Sequence, residues 1–291
     1  MPSTAEPADG TAGGAPGRAG AVAELATATM FLTRLPVGGL GSGDPAVLSR
    51  ATRWFPLVGL VVGALVWAVY AGAALLWPPD VAAVLALAVS IRLTGAFHED
   101  GLADVADSAG AFGIDAKLEI MRDSRVGTYG ALALVLLVLA KYRLLVALGP
   151  ALAALALPAA HVASRWAAVW LMARFEYARP EAANRVVAEG VDGRRLGETT
   201  GIALGCLAVA GVAWVALAPH GVGVAAVSLG ATLVLAPAVA ELAGRRFRRA
   251  LGGVTGDCLG AANQAVEVAT LAAFAALLPV LLAPATLVPA P

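Results

Sequence analysis

Residues 128–173 read TYGALALVLLVLAKYRLLVALGPALAALALPAAHVASRWAAVWLMA, two long apolar runs joined at Gly149-Pro150. A helix crossing ~30 Å of hydrocarbon needs about 20 mostly apolar residues. The stretch therefore predicts two membrane-spanning helices, 128–148 and 152–173, with a tight turn between them. The same pattern recurs outward, predicting spans at 55–77 and 81–97 before it and at 199–218, 222–241 and 265–285 after it, about seven in all. Composition agrees: of 291 residues, 59% are hydrophobic and 14% charged, with a mean hydropathy of +0.81, whereas soluble domains carry roughly 25% charged residues. Ala, Leu and Val dominate the runs and no alternating strand pattern recurs, so the expected class is all-α, a polytopic helical bundle and not a barrel. Lys+Arg and Asp+Glu are 20 each, a balance that gives no reason to expect a nucleic-acid partner. Cys206 and Cys258 have no motif spacing, which implies neither a disulfide nor a zinc site.

Residues 1–20 are rich in Ala, Gly and Pro and offer no apolar face, so they are expected to be a disordered tail ahead of a single transmembrane domain, 21–291. They lack the layout of a signal peptide. Ala21–Val37 contains Glu24 and Arg34 and reads as an amphipathic helix at the inner surface. Three short connections (Pro78-Pro79-Asp80, Gly149-Pro150, Pro219-His220-Gly221) hold no Lys or Arg, while the long ones hold Arg50 and Arg53, Lys117, Arg122 and Arg125, Arg174 to Arg195, and Arg245 to Arg249. The positive-inside rule then places the N-terminus and every long loop in the cytoplasm, inside the cell's inner membrane, with the C-terminus outside. Three cations fall within apolar runs. Lys141 and Arg143 either snorkel to the outer surface or do not; Arg165, one turn after His161, is expected to face a polar cavity, binding an anion or pairing with an acid.

Chemistry is concentrated in two segments on the expected cytoplasmic side. The first is His98-Glu99-Asp100-Gly101-Leu102-Ala103-Asp104-Val105-Ala106-Asp107. If helical, Asp100, Asp104 and Asp107 fall at i, i+4 and i+7, within an arc of ~60°. Like charges on one face repel unless a cation lies between them, and converging hard oxygen ligands suit Mg²⁺, which binds substrate phosphates as well. His98 is a ligand, a proton carrier or an interfacial polar residue. Downstream, Arg122-Asp123-Ser124-Arg125-Val126-Gly127-Thr128-Tyr129-Gly130 enters a span, with glycines and a hydroxyl at a helix start leaving N–H groups for an anion and two arginines as charge partners. The second segment is Gly252-Gly253-Val254-Thr255-Gly256-Asp257-Cys258-Leu259-Gly260-Ala261. Its glycines permit close approach by a helix or a phosphate, and Asp257 is expected to join the other three acids as a metal ligand. The alternative for Asp257 is a helix cap. The arginine run at 245–249 marks topology, or attracts anionic lipid or a polyanionic substrate.

These segments, with Phe31-Leu32-Thr33-Arg34-Leu35-Pro36 and Arg53-Trp54-Phe55-Pro56-Leu57-Val58-Gly59, resemble the cobalamin synthase family over about residues 24 to 275. Ser108 and Gln264 depart from its pattern. The resemblance implies a multi-pass membrane enzyme that joins α-ribazole, or its 5′-phosphate, to adenosylcobinamide-GDP, releasing GMP with Mg²⁺ required. It makes Arg34, Arg122, Asp123, Arg125, Gly127, Thr128, Arg165, Gly256 and Gly260 candidates for holding substrate and phosphate, and His98, Asp100, Asp104, Asp107 and Asp257 candidates for catalysis. Two other readings compete: a CDP-alcohol-type phosphotransferase, for which the expected arginine after Asp100-Gly101 is missing, and a cation-coupled transporter, for which no internal repeat is seen.

Overall fold

A computed structural model describes residues 18–178, 187, 190–218 and 221–281. Most of the expected N-terminal tail, Arg179 and Arg185 of the long basic loop, the Pro219-His220 turn and the last residues of the final expected span lie outside the described residues. The described chain is a bundle of ten α-helices and one 3₁₀ turn. They are α1 (Arg18–Leu32), α2 (Pro45–Ala51), α3 (Phe55–Ala73), α4 (Pro79–Thr94), α5 (Phe97–Ser108), α6 (Ile114–Ile120), α7 (Thr128–Arg174), α8 (Gly193–Leu217), α9 (Val222–Leu251) and α10 (Gly256–Leu281).

Helix α7 is 47 residues long but has a left-handed, non-helical residue inside it, Gly149 (φ 64°, ψ 169°). In a continuous helix Lys141 and Arg165, 24 positions apart, would stand about 36 Å from each other. Both nevertheless reach the carboxylate of Glu267, at 2.7 and 3.0 Å. The chain therefore doubles back at Gly149-Pro150, where φ > 0 suits glycine and Pro150 has no N–H to lose. The carbonyls around the break are not left bare: Tyr70 Oη donates to Leu145 O at 2.9 Å, Trp67 Nε1 to Pro150 O at 3.0 Å and Trp214 Nε1 to Ala151 O at 2.9 Å. In lipid no water would do this, so the protein must.

Five helices among the described residues are long and apolar enough to cross a membrane, and the bent pair α4–α5 supplies a sixth. Because α7 doubles back into two long apolar arms, the segments able to cross number seven among the described residues. Helix α3 packs on the second arm of α7 through Gly59 and Gly63: a Cβ at Gly59 would meet His161 O at 2.4 Å, and one at Gly63 would meet Pro158 Cα at 2.6 Å. Small residues one turn apart let two backbones touch, the association mode available where lipid is as apolar as leucine.

Helix α1, at 15 residues, is too short to span. Its Glu24 points into the protein and is buried, paired with Arg50 (3.3 Å) and Arg53 (2.6 Å) and accepting from Trp54 Nε1. One expectation needs correction. The basic segment after residue 241 is not a loop: α9 continues to Leu251, since Arg and Leu propagate a helix well beyond the hydrocarbon, and it ends at Gly252 with φ 79°. Of the two possibilities left open for Lys141, the fold realises burial: it is paired with Glu267 inside the bundle. Arg143, two residues on, is exposed.

Candidate active site

The acidic run is helical, so the condition on which its three acids share a face is met. Helix α4 stops at Gly95 (φ 69°) and Ala96 (φ 59°), Ala96 being the one non-glycine residue at positive φ among the described residues. Across these two residues the chain turns by 88° into α5. The Arg34 backbone N–H donates to Leu93 O at 2.7 Å, and the Arg34 guanidinium lies over Gly95, where a Cβ would meet Nε at 2.3 Å. Arg34 thus braces the elbow from its exposed side. On α5, Asp100 is exposed and Asp104 and Asp107 are half-buried, all on one face.

Asp107 has a defined task. Its Oδ2 accepts from Gly127 N–H and its Oδ1 from Gly130 N–H, both at 2.8 Å. The anion that the amide-rich start of α7 was expected to attract is, in the folded chain, this carboxylate. It satisfies donors that α7 itself cannot, and its charge suits the positive end of the helix. Glycine leaves room for this grip at both positions: a Cβ would meet Asp107 Oδ1 at 2.5 Å from Gly127 and Oδ2 at 2.3 Å from Gly130, and the carboxylate would have to move aside.

Helix α10 crosses α5 at close range. A Cβ on Gly101 would meet Asp257 O at 2.7 Å and Asp257 Cα at 3.0 Å, and one on Gly260 would meet the His98 backbone at 3.3 Å. The backbone of Asp257 is therefore packed directly beside the residue following Asp100. Capping of α10 belongs to Thr255, whose Oγ1 accepts from Cys258 N–H (3.3 Å) and donates to Asp257 Oδ2 (3.3 Å). Gly256 N–H donates to Tyr177 Oη at 3.0 Å. Gly253 is held where a Cβ would meet Glu176 O at 2.4 Å, beside the two backbone hydrogen bonds joining Val254 to Glu176 and Ala178.

His98 is buried at the first turn of α5, edge-on to Phe97 (ring centroids 5.3 Å), with its Nδ1 lacking a partner among the described residues. The Arg122–Thr128 loop is largely exposed. Within it Arg125 donates from its backbone N–H and from Nε to Asp123 Oδ1, both at 3.0 Å, and this holds the Asp123 carboxyl down at about 2. Arg122, Arg125 and Thr128 face solvent at the entrance to α7.

Arg165 is elsewhere. It is buried between the arms of α7 and α10, its Nη1 donating to Ser164 Oγ (2.8 Å) and Glu267 Oε2 (3.0 Å) and lying 2.7 Å from His161 Nδ1. Of the two roles open to it, pairing with an acid is the one the fold realises. The sequence left Glu267 without a role; its buried position opposite two cations assigns one. Glu99, also buried with Oε2 lacking a partner, had no distinguishing signal within the acidic run.

Among the described residues no three His, Cys, Asp or Glu side chains converge into a ready-made metal cage. The donors that line the α5 face and the α10 crossing are carboxylates, the ligand type of a hard cation. An open, partial set of them suits an ion whose shell is completed by water and substrate phosphate.

Compared with known proteins, residues 24–275 match the family model described as cobalamin-5-phosphate synthase. The chain belongs to that family. Curated members of the cobalamin-5-phosphate synthase family similar to it are named adenosylcobinamide-GDP ribazoletransferase. That of Ralstonia nicotianae is 40% identical over 256 residues, covering 83% of this chain and 90% of its own length. That of Shewanella frigidimarina is 41% identical over 245 residues, covering 83% and 89%; that of Escherichia coli is 40% identical over 252 residues, covering 84% and 95%. No solved structure matches.

Proposed function

We propose that this chain is an adenosylcobinamide-GDP ribazoletransferase of the plasma membrane, with α5 and the start of α10 facing the cytoplasm. It joins α-ribazole, or its 5′-phosphate, to adenosylcobinamide-GDP, giving adenosylcobalamin, or its 5′-phosphate, and GMP. The observation that carries the reading is identity of about 40% over more than four-fifths of the chain to proteins of that name, family membership that sets aside the phosphotransferase and transporter alternatives.

The residues suit the chemistry. A ribose hydroxyl oxygen bonds to the cobinamide-linked phosphorus, the bond from that phosphorus to the bridging oxygen breaks, and GMP leaves with that oxygen. Such a transfer depends on positioning and charge neutralisation. Mg²⁺ supplies charge neutralisation on the diphosphate and on the departing GMP when bound. Asp100, Asp104, Asp107 and Asp257 would hold it; Asp107, with both oxygens already accepting N–H groups, keeps a further lone pair on each. Arg122 and Arg125, exposed beside the α7 entrance, take phosphate charge. The hydroxyl proton passes to a carboxylate of the α5 face or to His98. Gly101 and Gly260 let α5 and α10 pack closely, with the Asp257 backbone against Gly101, and this close crossing supports counting Asp257 with the α5 acids.

The test is direct: purified protein, adenosylcobinamide-GDP and α-ribazole with Mg²⁺ should yield GMP and the ribazole-bearing cobamide in equal amounts. GMP formed without a corresponding cobamide, or no GMP at all from folded protein, would overturn the assignment.

A further inference from the structure

The four arginines of α9 remain without a role in the proposed chemistry. Arg245, Arg246 and Arg249, with Lys117 of α6, wall a groove of about 730 Å³, and Leu242 and Leu251 supply its apolar part. That volume is in the range of sites for whole ligands. Arg245 is paired with Glu241 (2.9 Å). Lys117, Arg246 and Arg249 have no carboxylate partner among the described residues.

The floor of the groove is α5, through Val105, Ala106 and Ala109. At 100° per residue these positions stand roughly 100° or more around the helix from each of Asp100, Asp104 and Asp107. Only buried Ser108 reaches toward the acid side. A phosphate held by the arginines would thus lie across α5 from the acidic face, which separates this groove from the site of transfer. The apolar wall is continuous with the outer surface of a membrane-crossing helix, since Leu242 is 70% exposed, one turn before the first arginine. A ligand that fits has an anionic phosphate above and acyl chains below.

We propose that this groove is a binding site for one anionic phospholipid of the cytoplasmic leaflet, its phosphate between Lys117, Arg246 and Arg249 and its chains along Leu242. Basic recesses between helices at the inner face bind such headgroups, at about 1 kcal/mol for each cation near the surface, or about fivefold in affinity. Because the groove joins α9 and α6 to α5, a bound lipid braces the helix that carries the acids. The inference does not depend on which reaction the acids perform.

Native mass spectrometry of the detergent-purified protein, loaded with phosphatidylglycerol or phosphatidylcholine, reads the site without turnover. One phosphatidylglycerol should be retained in preference to phosphatidylcholine. Arg246→Gln with Arg249→Gln should weaken retention about 25-fold, while Arg194→Gln, on the first turn of α8 and 86% exposed, should leave it unchanged. If the double variant does not elute as a single species, Arg249→Gln alone is measured, with about a fivefold loss expected. Equal retention of the two lipids, or equal retention by the α9 variants and Arg194→Gln, overturns the proposal. Displacement of phosphatidylglycerol by millimolar GMP overturns it also, since the groove would then belong to the nucleotide.

Discussion

Replacing Glu267 and replacing Lys141 should have very unequal effects, although the two form one ion pair. Glu267 Oε1 lies 2.7 Å from Lys141 Nζ and Oε2 lies 3.0 Å from Arg165. All three side chains are buried, and together they carry one excess positive charge. At an effective dielectric of ~20, each contact is worth about 5–6 kcal/mol of Coulomb attraction, most of it offset by desolvation. Glu267→Gln leaves two buried cations facing each other with no counter-charge, and breaking a buried pair in this way costs about 3–5 kcal/mol. Against a total stability of about 5–15 kcal/mol, that is a large share. Lys141→Met removes one cation and leaves Arg165 and Glu267 as a neutral pair, so its cost should stay below about 2 kcal/mol. The double variant Lys141→Met/Glu267→Gln should recover part of the loss, having one unpaired cation where Glu267→Gln has two. Equilibrium unfolding of purified protein in mixed micelles, followed by tryptophan fluorescence, measures all three. If Lys141→Met is at least as damaging as Glu267→Gln, the charge count is wrong and the network is held together by packing.

Gly130→Ala puts a methyl group where Asp107 Oδ2 now sits; about 1–3 kcal/mol of stability should be lost by overpacking, with GMP release falling at least tenfold, and near-normal turnover would show that the Asp107 grip on α7 is dispensable. Asp104→Asn should reduce GMP release by at least about 10–100-fold without loss of the protein from the membrane, since even residues that only support a metal ligand cost that much. Asp257→Asn should both slow turnover and raise the Mg²⁺ concentration needed for half-maximal rate; an unchanged Mg²⁺ dependence would remove Asp257 from the site. The Asp123 carboxyl, held at about 2 against an ordinary 3.8, has a depressed folded value, so its pairing with Arg125 is fully present above about pH 4 and lost as pH falls through about 2. Carboxyl ¹³C titration should give that midpoint, and one near 3.8 would mean that the pair does not form in solution.

The seven passes were legible because span length and apolar composition are local properties, and Gly149-Pro150 announces its own turn. The helix at 97–108 and the glycine-mediated approach of the 252–261 segment were legible from spacing and glycine density. What escaped was long-range or depended on how far a helix runs. The partner of Lys141 is 126 positions away on another helix, so nothing within its own run decides between snorkelling and burial. Asp107 lies 20 residues before Gly127, and nothing local distinguishes a carboxylate that caps a neighbouring helix from one that waits for a metal. The extension of α9 beyond residue 241 was read as a loop because charge was equated with an end to helix, whereas charge ends only the hydrocarbon.

The elbow at Gly95-Ala96 has a consequence for the three acids as a set. With α4 along the membrane normal, residues 100 to 107 continued in line with it would be spread over about 10 Å of depth, from one dielectric to another. A turn of 88° would instead lay that length across the direction of α4. Asp100, Asp104 and Asp107 would then share one depth and one surface potential, and differ only in their position along α5.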